Sequence, residues 1–279
     1  MKTAFLLVTH ILSKSVIGEF RKRVQASEGL GDCFIVFHRD ESYLPPAELQ
    51  LYPHLVVSNR DLADNGLHTL LKNQLVPGSN HFLPIYFAEK YTQYDFYFVI
   101  EYDVRFTGDW RKVFEYLADK EEDFFTCHIR RHACEPDWPW WASISHPAEK
   151  IETDKLIRSF NPIYRISRDA LKYIGDCHRD GWKGHHEVLL PTLLSREFTI
   201  RDFGGGGEFV HVEDIGKFYR DSSGFKLEDG SVRWRPSHAL ICLQPRNLLV
   251  HPVKSGQLFA SFQHRFRKLL RVLGANRQR

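Results

Sequence analysis

Short apolar runs separated by helix-length segments are the sequence feature that most constrains this fold. The runs are rich in Val, Ile, Leu and Phe and have the pattern of buried strands, and the segments between them are long enough for crossover helices. Strands linked through helices form mainly parallel sheets with right-handed crossovers, so an α/β fold is predicted. The predicted strands cover 3–9, 33–37, 55–57, 96–100 and 123–129, and the predicted helices cover 14–27, 81–91 and 109–120.

The second half of the 279-residue chain is less regular. Tryptophan-rich loops precede a predicted helix over 186–196 and a predicted strand over 198–203. The glycine run 204–207 lacks the Gly-x-Gly-x-x-Gly spacing of phosphate-binding loops, which favours a mobile loop. A zinc site at Cys127, His128, His132 and Cys134 is an alternative use of this region, although the spacing matches no common zinc module.

Two carboxylates follow the fourth predicted strand. Glu101 and Asp103 are two positions apart, which places both on one face if the extended geometry continues. Open α/β sheets bind ligands beyond the carboxyl ends of their strands, and Mg²⁺ is commonly held by carboxylates together with substrate phosphates. The pattern predicts a site for a cation with a diphosphate, although acidic residues are also ordinary turn residues.

Four segments, taken in order, resemble the GT-A type of nucleotide-sugar glycosyltransferases. Residues 101–103, Glu-Tyr-Asp, resemble the acidic Asp-x-Asp motif of that family, with Glu in place of the first Asp. Residues 161–168 resemble the strand before its acceptor helix, and 184–192 resemble its acidic acceptor-site segment. Residues 251–254, His-Pro-Val-Lys, resemble the late basic residues that close over metal and diphosphate. The resemblance spans about residues 1–255.

This resemblance implies a Rossmann-type first half that binds a nucleotide sugar, residues 1–130, and an acceptor-binding second half of the same domain, residues 131–255. Asp103 is expected to hold a divalent cation, Mn²⁺ or Mg²⁺, with Glu101 and His251 as weaker ligand candidates. The cation and a lysine would stabilise the leaving diphosphate. The residues expected to contact the donor, at the ends of the first three strands and near the late His, are Thr9, Arg39, Asn59 and Lys254.

Glu187 is the candidate general base toward the acceptor hydroxyl in an inverting transfer. It opens a predicted helix beside the apolar residues 188–190, where partial desolvation would raise the pKa of its carboxyl. An ordinary first-turn acid that compensates the helix dipole is the alternative. Acceptor-binding candidates are Trp140, Trp182 and His186, although tryptophans in such loops also pack on cores.

The charge is distributed unevenly along the chain. Residues 231–279 carry ten Lys and Arg and no acid, whereas residues 1–230 carry 28 Lys and Arg against 35 Asp and Glu. The tail, residues 256–279, combines basic residues with an apolar stripe at helical spacing. We expect a cationic amphipathic helix on an anionic membrane surface, or, as the alternative, a helix docked on the protein's own core. With no targeting or membrane-spanning segment and an odd number of cysteines, a cytoplasmic, peripheral membrane location is expected.

The predicted function is transfer of a sugar from a nucleoside-diphosphate donor to a glycan or lipid-linked acceptor, in surface polysaccharide assembly of the bacterial type. A metal-dependent nucleotidyltransferase is the rival enzyme, but residues 9–12, Thr-His-Ile-Leu, follow the first strand in place of a glycine-rich basic loop. A basic-tailed nucleic-acid binder would leave Glu101 and Asp103 unused, and the acidic main body disfavours it. No nucleic-acid partner is therefore predicted.

Overall fold

The computed structural model describes residues 1–39, 44–68, 78–222, 230–234 and 244–254. The strands in these ranges are β1 (Thr3–Thr9), β2 (Gly31–Arg39), β3 (His54–Ser58), β4 (Phe96–Glu101), β5 (Arg105–Phe106), β6 (Phe124–Arg131), β7 (Ile157–Ser167), β8 (Ile200–Asp202) and β9 (Leu249–Val250). The helices are α1 (Lys14–Ala26), α2 (Asn59–Asp64), α3 (Phe82–Lys90), α4 (Trp110–Ala118), α5 (Arg168–Asp180) and α6 (His186–Leu194).

The central sheet of the described residues has seven strands in the order β3-β2-β1-β4-β7-β6-β8. Strands β1 to β4 pair in parallel, and β8 pairs in parallel with β6. Only β7 in this sheet runs against its two neighbours, β4 and β6. The predicted α/β fold with a mostly parallel sheet is therefore confirmed.

Helices cover both faces of the sheet because its strands are apolar on both sides. Helices α3, α5 and α6 pack on one face, in a core that includes Tyr97 and Val99 of β4. Helices α1 and α4 pack on the other face, with Phe98 and Ile100 of the same strand. Successive side chains of β4 therefore enter opposite cores, and the strand is fixed in register with Glu101 at its exposed end.

A two-stranded sheet attaches the segment 244–254 to the end of β4. Strand β5, shortly after Asp103, pairs in antiparallel register with β9. The amide of Val253 then donates to the carbonyl of Asp103 at 2.8 Å. This arrangement, called the β5–β9 clip below, brings residues distant in sequence against the carboxyl edge of the sheet.

Three local features differ from the sequence-based expectation. Helix α2 begins directly after β3, because Ser58 and Asp61 form a capping box there, where only a strand end was predicted. Helix α6 ends at Leu194 rather than at 196, with the amide of Arg196 bonded to the Leu193 carbonyl in a turn. Strand β7 is eleven residues long, whereas the predicted strand segment, 161–168, covered only its second part and the first residue of α5, and its direction was not predicted.

The predicted amphipathic tail, residues 256–279, lies outside the described residues. None of the helices described combines the length and the apolar character needed to cross a bilayer.

Candidate active site

Three potential cation ligands meet at the end of β4. The ligand atoms of Glu101, Asp103 and His251 all lie within 4.8 Å of one another. Nε2 of His251 is 3.5 Å from Oε2 of Glu101 and 3.5 Å from Oδ1 of Asp103. The structure therefore brings together the three residues predicted to bind a metal, two from β4 and its following turn and one through the β5–β9 clip.

The imidazole of His251 is oriented by the backbone. Its Nδ1 lies 2.6 Å from the carbonyl oxygen of Arg233, and because a carbonyl can only accept, Nδ1 carries the proton. Nε2 therefore faces the carboxylates. Burial alone would lower the pKa of His251, but its contacts with Asp103 and then Glu101 raise it to about 9. Metal-ligating histidines are commonly oriented by a backbone carbonyl in this way.

Asp103 is the most enclosed acid of the group. It is 3% exposed, and its Oδ1 has no hydrogen-bond donor. Nζ of Lys254 lies 3.6 Å from its other oxygen, Oδ2. Burial would raise the pKa of Asp103, but His251 and then Lys254 lower it, so the carboxylate is charged at neutral pH.

These residues fit a divalent cation. Two carboxylates are ligands that Mn²⁺ and Mg²⁺ both prefer, and the softer imidazole nitrogen favours Mn²⁺ of the two, with the remaining positions left to water and phosphate. The buried Oδ1 of Asp103 lacks a donor, which a bound cation would compensate. Glu101 is partly satisfied already, because the Asn80 side chain donates to its Oε1.

The predicted donor-binding residues lie along the same edge of the sheet. Thr9 ends β1, and its hydroxyl bonds the carbonyl of Ile11 at 2.6 Å. Arg39 ends β2 in register with Ser58, and Asn59 follows directly as the first residue of α2. Because β1 lies beside β4, this row of strand ends leads to the cation candidate site. Lys254 lies at the same site, with its Nζ 3.6 Å from Oδ2 of Asp103.

Glu187 stands at the start of α6, whose N-cap is His185. Nδ1 of His185 accepts from the Glu187 amide at 3.3 Å, so this imidazole is neutral and turned toward the helix end. Burial raises the pKa of Glu187 to about 8, Arg158 opposes that rise, and Glu101 adds to it. The predicted desolvation is present, and a carboxyl that titrates near neutral pH can accept a proton.

The three acceptor candidates have different surroundings. Trp140 is 39% exposed and stacks on His185 at 4.8 Å, so it presents an open ring beside the start of α6. His186 is buried, with its ring stacked on His81 at 5.7 Å. Trp182 is 4% exposed, so its ring packs in the core, which was the alternative to acceptor binding. Its ring lies against His146 and Arg196.

A second group of potential ligands, His185, His186 and Glu187, also lies within 4.8 Å. The Nδ1 lone pair of His185 already caps α6, which favours a structural role for that imidazole. Among the described residues, neither group of three or more potential ligands includes the proposed zinc set around Cys127 and His128. Instead, the His128 ring contacts Asp221 and the Val232 carbonyl.

Two residues near the site were missed by the sequence reasoning. Asn80 precedes α3 and carries no motif, so no sequence signal points to its contact with Glu101. Arg158 is buried in β7, and its guanidinium bonds Oε2 of Glu135 at 2.7 Å. An arginine within an otherwise apolar strand is the signal that could have found it, although β7 carries a second one, Arg165.

No family model matches the chain, and no curated protein matches it by sequence. Among solved structures, the chain is similar to a putative glucose-1-phosphate thymidylyltransferase from Bacillus anthracis, with 12% identity over 74% of this chain and 88% of that one, and a TM-score of 0.38. It is similar to the galactosyltransferase LgtC in complex with donor and acceptor sugar analogues, with 8% identity over 73% of each chain and a TM-score of 0.41. A glycosyltransferase involved in glycosylation of the major capsid of PBCV-1 has 12% identity over 63% of this chain and 66% of that one, with a TM-score of 0.29. The similar structures thus include glycosyltransferases and a nucleotidyltransferase, and the function of this chain is inferred from the geometry of its own site.

Proposed function

We propose that the protein is a metal-dependent glycosyltransferase that uses a nucleoside-diphosphate sugar. The observation that carries the proposal is the convergence of Glu101, Asp103, His251 and Lys254 at the carboxyl edge of the sheet. Two acids, an oriented imidazole and an ammonium form a site that can hold a cation together with a diphosphate. If Glu101 and Asp103 were only turn residues, nothing would require the β5–β9 clip to bring His251 and Lys254 back to them.

The residues at this edge would divide the work of releasing the diphosphate. Asp103, with Glu101 and His251, would hold the cation, which when bound would supply positive charge to the leaving group. Lys254, whose side chain is 43% exposed, can reach a phosphate oxygen while remaining near Asp103. Thr9, Arg39 and Asn59 would contact the nucleoside from the ends of the neighbouring elements.

Glu187 would act on the acceptor. Its carboxylate is placed at the start of α6 and titrates near neutral pH, as a general base requires. The open ring of Trp140 beside this helix start offers an apolar platform on which an acceptor sugar could stack. In an inverting transfer, Glu187 would remove the acceptor proton as the bond to the diphosphate breaks.

We infer a glycan or lipid-linked acceptor and a place in surface polysaccharide assembly, on the cytoplasmic side of a membrane. The basic tail supports this location, because cationic residues bind anionic lipid surfaces. The acidic main body, in contrast, gives no support to nucleic acid as a partner.

A direct test is release of the nucleoside diphosphate from a panel of UDP-glucose, UDP-galactose, UDP-N-acetylglucosamine and GDP-mannose. With Mn²⁺ or Mg²⁺ present, at least one donor should be consumed slowly with water as acceptor, and EDTA should stop the reaction. A parallel mixture of nucleoside triphosphates and sugar 1-phosphates tests the rival. Pyrophosphate release in that mixture, with no consumption of the sugar donors, would establish a nucleotidyltransferase instead.

A further inference from the structure

Arg158 is a buried cation that the roles proposed above do not use. It is 1% exposed, and its Nε has no hydrogen-bond acceptor. Its ion pair is with Glu135, at 2.7 Å. Burying a guanidinium is unfavourable unless its partners satisfy it, so a charge retained here calls for an explanation.

The surroundings make the position of Arg158 still less favourable. In the antiparallel pairing of β7 with β6, Arg158 lies directly opposite Arg130, and like charges in register repel. Arg130 is neutralised by Asp221, and Arg158 by Glu135. Simple strand pairing therefore gives no reason for a cation at residue 158.

Packing joins β7 to α6 directly before Arg158, through Thr192 near the end of that helix. The Thr192 hydroxyl of α6 accepts from the Ile157 amide at 3.0 Å and donates to the Ile157 carbonyl at 2.9 Å, directly before Arg158 in β7. The Trp138 ring lies 4.6 Å from the guanidinium and shares a small apolar cluster with Val188. The residue before Val188 is Glu187, so strand, tryptophan and helix hold the cation beside the candidate base.

We propose that Arg158 is a positioning residue for Glu187: its buried guanidinium holds a fixed positive charge beside the start of α6 and keeps that carboxylate available to accept a proton. This inference rests on the proposed function of Glu187 as a base. It assigns Arg158 no contact with the substrate. Its effect on the reaction passes through Glu187.

The other charged groups around Glu187 agree with this role. Burial and Glu101 both favour its protonated form, while Arg158 and His251 favour the carboxylate. His185, 3.8 Å from Oε2, is neutral, because burial and then Arg158 lower its pKa to about 4. Arg158 is therefore the first of two cations, with His251 as the second, that oppose the effect of desolvation on the base.

The test is the pH dependence of donor hydrolysis in the full-length protein, with the four nucleotide sugars named above and saturating Mn²⁺. The wild-type rate should rise with pH through a midpoint near the Glu187 pKa of about 8, and E187Q should lack this rise. In R158M the midpoint should move to higher pH by about one unit or more, and the rate at pH 7 should fall about tenfold per unit. The donor KM should change little.

Three further variants separate positioning from general stability. R158K keeps the charge, so its midpoint should stay closer to that of the wild type than R158M does. R165M removes another buried arginine of β7, one that bonds the Glu122 and Lys120 carbonyls, and should leave the midpoint unchanged. E135Q releases Arg158 from its ion pair and should move the midpoint to lower pH.

An unchanged midpoint in R158M, or an equal displacement in R165M, would overturn the proposal. If circular dichroism shows that R158M does not fold, an unchanged midpoint in E135Q would overturn it as well. Failure of the proposed function has a separate signature, because wild-type protein would then consume none of the donors. Wild-type activity with a pH rise that E187Q abolishes and R158M leaves in place contradicts the positioning role alone.

Discussion

Asp103 and Glu187 are both enclosed carboxylates at the carboxyl edge of the sheet, but their surroundings have opposite effects. Asp103 faces His251 and Lys254, which lower its pKa despite burial. Burial raises the pKa of Glu187 to about 8, since Arg158 and His251 offset this effect only in part and Glu101 adds to it. On the proposed assignment, environment gives the same chemical group two roles, a permanently charged ligand and a group that exchanges a proton.

The largest effect is expected on the Asp103 side of this comparison. D103N removes the buried charge from the candidate cation site and should abolish turnover of the nucleotide sugar, by about a thousandfold or more, since metal-ion catalysis contributes several kcal/mol. Calorimetry with Mn²⁺ alone should show loss of binding. Circular dichroism should show an intact fold.

Glu101→Gln is the matched variant within the same site. Its side chain is more exposed and already accepts from Asn80, so its loss should weaken Mn²⁺ binding less than D103N does. Full activity of D103N, or activity of the wild type in EDTA, would show that Asp103 holds no essential cation.

The next largest effect is expected at Glu187. E187Q should lower kcat by about 10²–10⁴, which is the usual contribution of general base catalysis. Donor affinity, measured by calorimetry with an unreactive nucleoside diphosphate, should be nearly unchanged. The control is E197Q. Glu197 is an exposed acid just beyond the other end of α6, so its replacement should leave kcat unchanged. An equally large loss of nucleotide binding in E187Q would indicate a structural role.

A smaller, opposite effect is expected on stability. The folded-state pKa of Glu187 lies above its ordinary value of 4.5, so the wild type loses stability as pH rises from about 4.5 to 8, and a glutamine does not. In metal-free buffer E187Q should therefore melt a few degrees higher than wild type at pH 8, with little difference at pH 4.5. A lower melting temperature for E187Q at both pH values would contradict the desolvated-base assignment.

The smallest effect on catalysis is expected from deletion of the tail, because the deletion should not alter the surroundings of Asp103 or Glu187. Full-length protein should co-sediment with anionic liposomes and not with neutral ones, and salt should weaken this binding, since each basic residue contributes ~1 kcal/mol near an anionic surface. Deletion of residues 258–279 should abolish co-sedimentation and preserve hydrolysis of the soluble donor. Aggregation of the shortened chain would mean that the tail packs on the core.

The comparison also shows what local sequence can predict. The parallel strands and the acids after β4 were predictable because buried strands are apolar runs and because strand ends carry binding residues. The antiparallel direction of β7 was not, since the side-chain pattern of a buried strand is the same in either direction. The position of His251 beside the acids was expected only from a family resemblance, because no local sequence rule predicts the pairing of β5 with β9.

Arg158 illustrates the remaining limit. Its sequence neighbours say nothing of Glu135 or Trp138, which lie twenty or more positions away and meet it only through the fold. The raised pKa of Glu187 was predicted from its apolar neighbours in sequence, but the cation that opposes the rise belongs to a different element. Electrostatic environments of this kind depend on tertiary contacts that no spacing rule encodes.

The β5–β9 clip has a consequence for how the molecule is made. A chain growing on the ribosome tends to fold from its N-terminus, so most of the central sheet can assemble before β9 has been translated. Until then the Asp103 carboxylate has neither His251 nor Lys254 beside it. On the proposed assignment, a product of early termination ahead of β9 would resemble the native protein in its sheet but would be inactive. Turnover of the donor would therefore begin only after translation has passed residue 254.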